Sequence, residues 1–347
     1  MNIAKQQPIH SYCQLCLSLC LFLSSLTILE ASLNPLTWFG KEPETDIIEL
    51  GDKSEEKAAR WVQQAEQRAA AGSINASQRI YKKILNQYPR ISAAGPIAYQ
   101  RGLYLFEKGK WIEAFEAFKI IKLFHPNLPQ LDAVIDLHYK SIENAMNQQR
   151  RKTLGIFAPA PLNREAAPLF IEYAQLYPFD AKASDALLNA ALILRSSDDL
   201  ELAIGTLKKL INNYPNSSVT AQAYFDIAHI YSEFIKGPAY DLESTREAIR
   251  YCEDFIALFP DHDRIGEVEA LYAGLLNTLA TNRVLLADYY YFNRRDTIAA
   301  LIFYNEAITL APKSQAANEA QVRLDAIKQG LQPTTGSNFI KKLFFIR

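Results

Sequence analysis

The feature that most constrains the fold is a proline-ended pattern that returns six times along the chain. Prolines stand at Pro89, Pro126, Pro178, Pro215, Pro260 and Pro312. Twelve residues before each is a small residue: Ser77, Ala114, Ala166, Ala203, Ala248 and Ala300. Eight before each is a larger apolar one: Tyr81, Phe118, Phe170, Leu207, Cys252 and Tyr304. A spacing of four along a helix puts the two on one stripe, the small residue admitting a neighbouring helix and the large one filling the gap beside it. The residue before the proline is usually aromatic, as in Tyr88, Tyr177, Tyr214 and Phe259. One helical hairpin of this kind cannot cover its own apolar face, so copies must stack on one another.

This is the pattern of tetratricopeptide repeats, and it predicts an all-α fold, a right-handed superhelix (an α-solenoid) of about five to six helix hairpins over residues 54–330. The prolines are 37, 52, 37, 45 and 52 residues apart, against about 34 for a bare repeat. Some first helices must therefore be lengthened or carry inserted loops. The stretch Ala287–Pro312 shows the repeat best, as two helices with a polar break at Asn293–Asp296. A solenoid grows by adding repeats, so 347 residues need not imply several cores. Only 13 glycines and no alternating Val/Ile/Thr runs argue against a large sheet.

A net charge of −1 gives no reason to expect nucleic acid as a partner. Three of the four cysteines, Cys13, Cys16 and Cys20, lie in the first twenty residues. The Cys13–Cys16 pair lacks the further ligands of a closed zinc site, and no metal or cofactor is expected. Cys252 falls on the packing stripe and reads as a small buried hydrophobe. The five histidines are scattered, without an HExxH or paired arrangement, and no phosphate-binding glycine loop precedes a helix. Asp132, Asp136, Asp198 and Asp199 fall on helix faces and turns that read as solvated. An enzyme is not expected.

Residues 1–31 read as an export signal, with Lys5 in a thin basic region, an apolar run from Leu15 to Leu29, and cleavage before Ser32. An uncleaved anchor is the alternative. Leu17–Cys20 approaches a lipid-attachment motif, with Cys20 as the acceptor, but Leu19 stands where a small residue is needed and Leu21–Leu29 stays apolar beyond it. Residues 32–53 read as an extended lead-in, with helix starting near Ser54. Residues 151–164, with two prolines and the apolar pair Ile156 and Phe157, read as an inserted loop, and Lys236–Asp241 as a second insertion. Residues 331–347 form an apolar and basic tail ending FIKKLFFIR, too short to span a bilayer.

From Asp241 to Pro312 the residues resemble BamD, the tetratricopeptide component of the outer-membrane β-barrel assembly machinery. The resemblance is carried by Asp241 and Thr245 ahead of Ala248, the Phe259–Pro260 ending and Leu279–Ala280 in a long helix. Ala287 with Tyr290 and Tyr291, and the pair Ala299–Ala300, complete it. A looser match covers about residues 57–330. It implies export to the periplasmic face of the outer membrane, attached peripherally or through an N-terminal anchor. The implied role is non-enzymatic scaffolding, with barrel-assembly subunits and unfolded outer-membrane proteins as partners. The family's usual five repeats and lipid anchor differ from the six registers and imperfect motif here. Two other readings stay open: a periplasmic adaptor for envelope or division complexes, and an outer-membrane glycan-binding protein using Tyr289–Tyr291. Within the C-terminal half, Arg294, Arg295 and Asp296 are the candidate partner-binding residues, because they sit at a turn away from the packing stripe.

Overall fold

A computed structural model of the chain describes residues 52–152, 164–238 and 242–331. The expected leader and its Cys20, the lead-in, the inserted loop after Lys152 and the C-terminal tail lie outside these residues. The contacts divide the chain at Ser54, and the unit that begins there holds the described helices from that residue on.

Among the described residues there are thirteen α-helices and no strand. They run α1 (Asp52–Ala70), α2 (Ile74–Gln87), α3 (Ala94–Glu107), α4 (Trp111–Phe124), α5 (Leu131–Lys152), α6 (Ala166–Leu176) and α7 (Ala183–Ser196). Then come α8 (Leu200–Asn213), α9 (Thr220–Glu233), α10 (Leu242–Leu258), α11 (Ile265–Asp288), α12 (Thr297–Leu310) and α13 (Gln315–Lys328). Consecutive helices pair into six hairpins, each second helix ending at one of the six prolines, and α13 closes the stack. The chain is a tetratricopeptide-like solenoid. Helix α1 starts at Asp52, two residues before Ser54. Its first turn simply continues back through Lys53 into residues that contain no breaker.

All twelve pattern residues are buried, from Tyr81 at 7% exposure to Tyr304 at 0%. The ends of the second helices are just as regular. The amide of the residue before each proline closes the last turn, as in Tyr88 to the Ile84 carbonyl (2.7 Å) and Phe259 to Phe255 (2.8 Å). Proline then forbids the preceding residue the helical conformation, and φ near −130° at His125, Tyr177 and Tyr214 shows the break. The carbonyl of that residue accepts from an amide three further on, at Ile91, Leu128, Asp180, Ser217, His262 and Ser314, which turns the chain into the next hairpin.

Small residues set the approach of the helices. A Cβ added to Gly102 in α3 would lie 2.3 Å from the ring of Phe118 in α4, which is fully buried. Ala300 in α12 plays the same part in the last hairpin, at 0% exposure in a cluster with Ala280, Val284 and Ala287 of α11. Ala300→Leu is expected to overpack this contact and cost about 1–3 kcal/mol, read as a fall in the urea midpoint at unchanged slope. A midpoint equal to the parent's would mean that the α11–α12 contact yields freely.

Cys252 is free and fully buried, and burial pushes its thiol up to about 12, so it packs as a hydrophobe. Of the four acidic residues expected on solvated positions, Asp136 bridges α5 to α7 through Lys182 at 2.6 Å, and Asp199 pairs with Arg164 at 2.7 Å. Asp136 keeps 60% of its side chain in solvent, so its ion pair is worth little.

Candidate functional site

The last hairpin differs from the others in its length, its turn and its surface. Helix α11 has 24 residues where most have 14. It does not break at Asn293 but runs on as a π-helical turn, Tyr289–Arg294. Nothing in Tyr289–Tyr290–Tyr291–Phe292 stops a helix, and the wider turn absorbs the extra residue. Such π turns are frequent at functional positions.

The chain reverses at a single residue, Arg295, in the left-handed conformation with φ 55°. This position recurs in four of the hairpins. Seventeen residues before the proline, Gly72, Gly109, Asp198 and Arg295 all have positive φ, at 78°, 71°, 63° and 55°. The first two hairpins fill it with glycine, which adopts this conformation without strain. The last fills it with arginine. The next residue, Asp296, is the N-cap of α12, its carboxylate accepting from the Ala299 amide at 3.0 Å. Arg294 lies over the Tyr289 ring, 5.6 Å from its centroid.

All three candidate residues are thus exposed and adjacent, as the sequence suggests. They are not equivalent. The Asp296 carboxylate is engaged in capping, and Arg295 holds a strained turn, which leaves the two guanidinium groups as the charges the turn presents. The three tyrosines do not form one platform. Tyr290 stacks on Phe303 of α12 (5.3 Å, 22°), Tyr291 is half-buried beside the α11–α12 core, and Tyr289 alone is exposed, at 43%.

Beneath the turn lies a polar cluster that sequence reasoning missed. Asp288 ends α11; the Tyr304 hydroxyl of α12 donates to it at 2.5 Å and Arg323 of α13 pairs with it at 3.1 Å. Tyr304 is fully buried and Arg323 is 9% exposed. Burial raises the Asp288 carboxyl above its usual range, and burial with the hydrogen bond to Asp288 raises the Tyr304 phenol. The cluster ties three helices together below Arg295. On the outer side, Arg283 of α11 pairs with Glu306 of α12 at 3.0 Å, beside an open groove lined by Ile298, Leu301, Ile302 and Thr309.

Several of the residues that carry the family resemblance are interior ones. Thr245, Ala248, Ala280, Ala287 and Ala300 are at 0–1% exposure. They specify helix packing and identify no contact surface. Among the described residues there is no group of three or more potential metal ligands, and no helix long and apolar enough to cross a membrane.

Comparison with solved structures finds proteins of low similarity. A human IFIT1 dimer with PPP-AAAA is 14% identical over 80% of this chain and 76% of that one, with a TM-score of 0.21. A monomeric mutant of IFIT1 with Gppp-AAAA is 14% identical over 78% and 72%, with a TM-score of 0.20. Scores this low bear on nothing further. No curated protein matches. A family model does match, over residues 163–341, and it covers the hairpins from α6 to α13, the long α11 and the whole cluster beneath its turn. By that match, which spans more than half of the sequence, the chain belongs to the YfiO family of outer membrane lipoproteins, to which BamD-like proteins belong.

Proposed function

We propose that the chain is a non-enzymatic scaffold at the periplasmic face of the outer membrane, where it helps to assemble and insert β-barrel proteins. The observation that carries this reading is the family match over residues 163–341. The C-terminal half that it covers also holds the long α11 and the distinctive surface of the last hairpin, whereas the second hairpin keeps close to the bare repeat. Barrel-assembly subunits are the expected partners, with unfolded outer-membrane proteins as cargo, and attachment to the membrane is peripheral or through the N-terminal segment.

The turn at Arg294 and Arg295 is the proposed contact. Two exposed cations contribute little to stability, about 0–1 kcal/mol, but they orient and speed the approach of an acidic partner surface. Arg295 also occupies a position where glycine is the less strained choice, so Arg295→Gly separates charge from backbone. It should stabilise the turn slightly while weakening capture.

The test is affinity recovery from crosslinked cell envelopes. Barrel-assembly subunits are expected with the parent chain and reduced recovery with Arg294→Glu/Arg295→Glu, at unchanged helical circular dichroism and melting. Recovery of division or other envelope proteins in their place would overturn the barrel-assembly reading. Undiminished recovery of barrel-assembly subunits by the double variant would remove the turn from the interface.

A further inference from the structure

The second helices of the six hairpins share a register, so their outer faces can be compared position by position. Fourteen and ten residues before the proline stand Asn75 and Arg79, Arg164 and Pro168, Glu201 and Gly205, and Arg246 and Arg250. In α4 the pair is Ile112, half-buried against the core, and Glu116. In α12 alone both positions are apolar and open to solvent: Ile298 at 75% exposure and Ile302 at 54%. They border the groove on the outer side of the last hairpin, beside Glu306. Isolated exposed apolar residues are ordinary, but two β-branched ones in successive turns on a groove form a patch, and patches of this kind are generally covered.

We propose that the cover is the C-terminal segment of this same chain, residues 332–347. The described chain ends at Leu331, just past α13. A four-residue turn joins α12 to α13, so the two run antiparallel. The pairing of Arg323 with Asp288, at the end of α11, brings the end of α13 back to the end of the hairpin where α12 begins. Ile298 is in the first turn of α12, so the chain leaves the fold at the same end of the hairpin as the patch, and residues 332–338 must carry it round to the outer side.

Reach is sufficient. The seven residues 332–338 span up to about 24 Å when extended, while a 14-residue helix is about 21 Å long. Chemistry matches as well. Phe339, Ile340, Leu343 and Phe344 are spaced to form one apolar stripe of a helical segment. Lys341 and Lys342 fall between them, for Glu306 and the carbonyl end of α12. An apolar segment of this kind has as much need of cover as the groove has. This inference does not rest on the barrel-assembly reading and is tested on the isolated full chain.

A photo-crosslinking residue replaces Ile302 in the purified full-length chain, with the same replacement at Arg250 as control. After irradiation, crosslinked peptides are mapped by mass spectrometry at two protein concentrations. Expected are crosslinks from position 302 to residues 339–346 within one molecule, with a yield independent of concentration and absent from the control. Crosslinks between two molecules, transfer of the contact to added phospholipid vesicles, or no crosslink to the segment would each overturn the proposal. Should the replacement at Ile302 prevent folding, Leu343→Asp/Phe344→Asp in the otherwise native full chain decides the matter. Release of the segment is expected to raise the emission of a polarity-sensitive dye about two-fold or more through the uncovered patch. Unchanged emission is the result that contradicts it.

Discussion

Arg323→Ala is expected to destabilise the last hairpin by about 3 kcal/mol or more, the range seen when one partner of a buried ion pair is removed. The reason is what it leaves behind. Arg323 is 9% exposed and lies 3.1 Å from the Asp288 carboxylate, whose other close partner is the buried Tyr304 hydroxyl. Burial already raises the Asp288 carboxyl, and without the guanidinium that charge has only a phenol to stabilise it. The more exposed Glu319, 3.2 Å from the same guanidinium, remains solvated and adds little to the loss. In a solenoid each unit contacts only its neighbours, so the effect should be local. Faster hydrogen exchange is expected in α12 and α13, with α7 to α9 unchanged. Arg323→Met combined with Asp288→Asn should recover most of the loss, because it removes both charges and keeps an acceptor for Tyr304. Exchange in α13 that is unaltered by Arg323→Ala would show that the pair does not hold the closing helix.

How much of this could be read in the sequence follows from which positions are shared between repeats. The buried stripe was legible because it recurs: Ser77 through Ala300 and Tyr81 through Tyr304 need the same packing in every hairpin, and proline marks their phase. The left-handed turn position was half legible. Gly72 and Gly109 announce it, but Asp198 and Arg295 adopt the same φ with no glycine to signal it. Arg295 therefore reads as a free surface charge until the backbone is seen. The break expected at Asn293–Asp296 shrinks to two residues, Arg295 and Asp296, since a π turn uses the same residue types as an α-helix and differs only in its hydrogen bonding. Asp288 and Arg323 were missed because their pairing spans two helices. A local signal for Arg323 does exist. It follows Ala316 and Ala320 on the inward stripe, with Leu324 beside it, a position where an unpaired cation is costly.

His138 has a similar placement, on the α5 stripe with Val134, Ile142 and Ala145, all at 0% exposure. That stripe makes it a core residue rather than one of five scattered histidines, and it carries the prediction with the largest dependence on conditions. Its ring lies 4.0 Å from that of Phe115, and Nδ1 is 3.0 Å from the Tyr177 hydroxyl. Burial first, and the nearby Lys119 charge second, lower its pKa from 6.5 to about 3. The folded chain therefore keeps the ring neutral, while the unfolded chain takes up a proton below about pH 6.5. A lowered value in the fold means that stability is complete above pH 6.5 and is lost as the pH falls towards 3. The loss approaches about 1.4 kcal/mol per pH unit, or about 2 kcal/mol by pH 5. Carboxyls raised by burial, Glu172, Asp226 and Asp288, act in the opposite sense, since the fold binds their protons more readily. Their window runs from the raised value in the fold down to the ordinary value near 4, so they offset part of the His138 loss, and they do so in any chain that keeps them. His138→Gln keeps a polar group for Tyr177 and removes the titration. In urea unfolding between pH 7 and pH 5 the parent should lose about 2 kcal/mol more than the variant, since the carboxyls contribute alike to both. Parallel profiles for the two chains would mean that the proton is taken up without opening the aromatic cluster around His138.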